Sequence, residues 1–134
     1  MQNVEPFVDC SDSLEDQPQL QARAAENGYL YFSNLLPVDD VLSVRHEALQ
    51  VADLHGLLRA GIDPDEAIRK EGVYIDLEYD KPTPPELKRF YNDILSLRGF
   101  NAFPHHATIM GVLEALLGEP TFVHPRHICH ILFP

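Results

Sequence analysis

Three histidines close together are the first residues in this sequence that could do chemistry. They are His124, His127 and His130, in the stretch HPRHICHILFP at positions 124–134. On a helix, positions i, i+3 and i+6 share a face, and three imidazoles there would suggest a metal centre. Pro125 and the β-branched and turn residues around it favour an extended chain instead. On a strand, His127 points away from the other two, and His124 and His130 sit roughly 20 Å apart. A metal ion needs its ligand nitrogens about 2 Å away, so one ion cannot be gripped by this trio. Partly buried, hydrogen-bonded histidines are the expectation.

The other histidines give no site either. His105 and His106 open a helix, where neighbours diverge by about 100°, so capping or packing is expected. His46 borders the apolar stripe of its helix and reads as a packed residue. Asp53 and His55 are two apart and do not face each other on a helix. No His-x-Asp or His-x-Glu occurs, and there is no P-loop, G-x-G-x-x-G, G-x-S-x-G or C-x-x-C. Acidic pairs such as Asp39-Asp40 and Asp63/Asp65 are explained as helix starts.

The bulk properties narrow the class of protein. The chain has 134 residues, enough for one ordinary domain. A formal net charge of −11 argues against a phosphate-tracking surface or docking on anionic lipid. Cys10 and Cys129 are far apart in sequence and read as free thiols of a reducing compartment. The opening MQNVEPFVDCSDSLEDQ lacks the pattern of a secretory signal, and IMGVLEALLG is too short to span a bilayer. A soluble, cytoplasmic protein is expected.

Residues 1–17 are acidic and aperiodic, and read as a flexible leader. Residues 18–27 are helix formers, with Gly28 as the stop and Tyr29–Ser33 as a short strand. Pro37-Val-Asp-Asp opens the next helix, on which Val38, Val41, Leu42, Leu49 and Ala52 form an apolar stripe. Residues 56–82 are the least legible; Asp63–Glu66 looks like one capped turn, and VYIDLEY is a strand or an extended loop. A helix from Thr83-Pro84-Pro85-Glu86 places Leu87, Phe90, Tyr91, Ile94 and Leu95 on one face, with Gly99 as its stop. The last helix runs from about Pro104 to Gly118 and is expected to bury Ile109, Val112, Leu113, Leu116 and Leu117. From Gly99 onward only Glu114, Glu119 and Arg126 carry charge, as expected of an interior. The final run, with Ile128, His130 and Leu132 on one face and Cys129, Ile131 and Phe133 on the other, reads as a strand apolar on both sides.

The order of these pieces resembles the phytanoyl-CoA dioxygenase family. A helix leading into ENGYLYFSNLLP and then VDDVLSVR is similar to the opening of such proteins. A helix ending in LLGEP, followed by FVHPR and a strand closing in Phe-Pro, is similar to their next segment. The resemblance covers about Gln19–Pro134 and is thinnest over 56–82. It implies an α+β fold: an N-terminal helical layer plus the first strands of an incomplete double-stranded β-helix, the cupin-like architecture, over 18–134. It also implies an iron(II)- and 2-oxoglutarate-dependent oxygenase that hydroxylates a small organic substrate, with iron held by two histidines and a carboxylate. That triad has no counterpart in this sequence, because the family's His-x-Asp follows the strand that HICHILFP resembles. No catalytic or metal residue is therefore assigned, and the chain alone is expected to be inactive and to bind neither iron nor cosubstrate. Within this resemblance His130 would line the 2-oxoglutarate or substrate pocket, with Arg126 or His127 at its mouth; core packing for His130 and solvent for Arg126 is the plainer alternative. A second reading is a complete non-catalytic domain that binds a protein partner through its C-terminal strand, an edge that would also allow self-association. A small histidine-rich metal-binding protein is a third, disfavoured by the diverging imidazoles.

Overall fold

The computed structural model describes residues 6–73 and 84–129. Its elements are helices α1 (Gln17–Asn27), α2 (Val38–Leu54), α3 (Pro85–Ser96), α4 (Arg98–Ala102) and α5 (Ala107–Leu117). Single 3-10 turns lie at Ser11–Ser13, Pro64–Glu66 and Phe103–His105. The chain divides into two compact units, Met1–Val38 with His105–Val123, and Asp39–Pro104 with His124–Pro134.

In the first unit the start of α1 is fixed by Asp16, whose carboxylate accepts from the Gln19 N–H at 3.0 Å. Both α1 and α5 end on a glycine, Gly28 and Gly118, at φ of 72° and 75°, a left-handed conformation that residues with a Cβ avoid. His106 caps α5, its Nδ1 accepting from the Thr108 N–H at 3.2 Å. The two helices pack together, and Gln21 of α1 donates to the Leu116 carbonyl at 3.0 Å and the Ala115 carbonyl at 3.4 Å. These are among the orphan carbonyls that every helix leaves in its last turn. Residues 6–16 belong to this packing: Cys10 and Ser13 are fully buried along with Leu20.

In the second unit the core is Leu49, Val51, Ala52, Leu58, Phe90 and Ile94, with Leu57, Leu87, Leu97 and Cys129 packed around it. The second half of α2 thus meets the apolar face of α3. Between them, residues 57–59 and 68–70 approach antiparallel: Arg59 donates to the Ile68 carbonyl at 2.8 Å and Lys70 to that of Leu57 at 2.9 Å. The intervening turn Pro64–Glu66 is capped by Asp63, whose side chain accepts from the Asp65 N–H at 3.0 Å.

Several expectations are corrected. The α+β fold with the first strands of a double-stranded β-helix does not hold: 57% of the described residues are helical and none forms a strand. Tyr29–Ser33 reduces to one parallel bridge between Tyr31 and Asp9. A strand needs a ladder of neighbours, and here the partner segment leaves after one residue to form the Ser11–Ser13 turn. At 127–129 the Cys129 N–H is satisfied by the Tyr91 hydroxyl at 3.3 Å rather than by a neighbouring strand. The rest of that expected strand, 130–134, and most of VYIDLEY lie outside the described residues.

The apolar stripes are also less buried than their periodicity suggests. Val38, Val41 and Leu42 at the start of α2 are exposed, while Leu49 and Ala52 are core. No residue of α5 is buried, and Leu113 and Leu117 are exposed. Gly99 does not stop α3; Leu97 does, in an extended conformation, and Gly99 lies within α4 with its N–H on Glu47 Oε2 at 3.2 Å.

The burial pattern separates two substitutions sharply. Ile94→Ala, at a fully buried site, should cost about 2–5 kcal/mol, whereas Leu54→Ala, on an exposed side chain, should stay within about 0.5 kcal/mol. Urea unfolding of both variants checks this.

Candidate functional site

Of the sequence-derived candidates, the structure describes Arg126 and His127. His127 is half-buried against α4: its Nδ1 lies 3.1 Å from Asn101 Oδ1, and its ring meets Phe100 edge-on at 6.0 Å. Asn101 is oriented by its own amide, which donates to the carbonyls of Leu95 at 2.7 Å and Leu97 at 2.8 Å. Its Oδ1 is therefore an acceptor, so His127 carries its proton on Nδ1. The buried Nε2 of His127 has no hydrogen-bond partner. Arg126, the next candidate, is exposed; its backbone N–H donates to His124 Nδ1 at 3.1 Å, and no carboxylate among the described residues pairs with its guanidinium. His130 lies outside the described residues. His127 and Arg126 thus point into different surroundings, one into packing and one into solvent.

Two contacts that sequence reasoning missed join histidine to carboxylate. His46 Nδ1 on α2 lies 2.8 Å from Asp65 Oδ2, and Arg45 donates to the Asp65 carbonyl at 2.7 Å. His55 Nε2, at the end of α2, lies 2.7 Å from Asp93 Oδ2 on α3, with the ring edge-on to Phe90 at 5.5 Å. The partners are 19 and 38 residues apart in sequence, and no local pattern marks them. Chemically each is a histidine held in orientation by a carboxylate, the arrangement that also serves general-base histidines. Neither has a nucleophile beside it in the contacts described, and each contact holds α2 to another element.

Among the described residues, no donor set of the kind that the family resemblance implies for iron is assembled. Two histidines and a carboxylate must converge on one ion, and no group of three His, Cys, Asp or Glu residues does so among the described residues. His46–Asp65 and His55–Asp93 each supply only two donors.

A polar cluster lies in the first unit. The Asp9 carboxylate accepts from the Ser11 N–H at 2.8 Å, the Ser11 hydroxyl at 2.5 Å and the Ser33 hydroxyl. Those hydrogen bonds, Ser11 first, hold the Asp9 carboxyl at about 2, against an ordinary 3.8. Arg23 grips Asp12 with both guanidinium nitrogens, at 2.8 and 3.0 Å, and donates to the Asp9 carbonyl at 3.1 Å. This pairing lowers the Asp12 carboxyl below its usual value. Both cysteines are free; burial pushes the Cys129 thiol above its ordinary value.

No family model matches this chain, and no solved structure matches it. Among the described residues, no helix is long and apolar enough to cross a membrane.

Two titrations follow from the shifted groups. A carboxyl depressed in the folded chain contributes stability that is present above its unfolded value and lost as pH falls through its folded value. For Asp9 that window runs from 3.8 down to about 2, so carbon-13 NMR should place its midpoint near the lower figure. Combining Ser11→Ala with Ser33→Ala should move the midpoint back toward 3.8. For Cys129, a raised pKa means less thiolate at pH 8. Alkylation by iodoacetamide at that pH should be several-fold slower in the folded chain than in urea.

Proposed function

We propose that this chain is an N-terminal helical portion of a phytanoyl-CoA dioxygenase-like oxygenase. The complete protein would use iron(II) and 2-oxoglutarate to hydroxylate a small organic substrate. The observation that carries the reading is the order of sequence pieces: the helix into ENGYLYFSNLLP, then VDDVLSVR, then LLGEP and FVHPR. Around those pieces α1 stops at Gly28, α2 begins at Val38 and α5 stops at Gly118. The role of the chain in this reading is scaffolding, with the iron triad supplied by residues it does not contain. Of the two described candidates, Arg126 is exposed and would be the one to meet a dicarboxylate cosubstrate, whereas His127 is engaged by Asn101. Two free thiols accord with the reducing cytoplasm as its compartment.

A second reading, a non-catalytic domain that pairs through its C-terminal segment, is favoured by one observation. Ile128 is 64% exposed, next to Cys129, whose N–H is met by the Tyr91 hydroxyl and not by a strand. An outward apolar side chain on a segment without helix favours docking against a partner.

Succinate release from 2-oxoglutarate with added iron(II) tests the scaffolding role. This chain alone should give none above a no-protein control, and robust turnover would overturn it. Reading the coding sequence past Pro134 tests the family: a His-x-Asp within a few tens of residues is the expected result, and an immediate stop codon favours the second reading. Light scattering separates that reading again, since pairing through Ile128 predicts a dimer that Ile128→Lys returns to monomer.

A further inference from the structure

We draw no further inference here: the strongest candidate, the exposed apolar face of α5 at Leu113 and Leu117 continued by Phe122, carries nothing because nothing in the structure shows what covers it.

Discussion

The contact between the second half of α2 and the apolar face of α3 organises everything else in the second unit. Ala52 and Ile94 are fully excluded from solvent, with Leu49, Val51, Leu58 and Phe90 close around them. Burying side chains of the Leu, Ile, Val and Phe kind contributes about 1.5–3 kcal/mol each, far more than any exposed ion pair of this chain can. Once the two helices are seated, the polar contacts follow from geometry. His55 at the end of α2 falls beside Asp93, and Tyr91 on α3 is placed to receive the Cys129 N–H. The connection after α2 is held back against itself at 57–59 and 68–70, so Leu58 completes the core.

The first unit is built on a different balance. Its fully buried side chains are Cys10, Ser13 and Leu20, and much of what fixes it is polar: Asp9 with two serines, Asp12 with Arg23, Gln21 on the end of α5. Exposed interactions of this kind are screened by salt. They tie residues 9–13 of an acidic, aperiodic stretch to Arg23 and Ser33 through side-chain hydrogen bonds, which leave no apolar period to detect.

Helix existence and ends were readable because they depend on neighbours a few residues away. Pro18, Pro85, Asp16, Gly28 and Gly118 act within one turn of themselves. The capped turn at Asp63–Glu66 is of the same sort. Strands were over-read for the complementary reason. YLYFS and HICHILFP have the right side chains, but a strand exists only with a partner, and among the described residues Tyr31 finds a single bridge and 127–129 none. Gly99 misled because a glycine that follows a helix usually stops it; here Leu97 had already done so. The apolar stripe of α2 overstated burial, since periodicity says which residues share a face and not how far along the helix a neighbour extends.

Of the candidate site, the sequence could say that no His-x-Asp is present, which follows from spacing along one chain. It could also name the helices α1, α2, α3 and α5, because hydrogen bonds within a helix and its caps are local. Only the tertiary structure decided that His46 meets Asp65, that His55 meets Asp93 and that Asn101 sets the tautomer of His127. Those pairs join residues 19 to 38 apart, and their meeting depends on where whole helices come to rest. Hydrophobic burial sets that position, and it acts on area rather than on sequence neighbours.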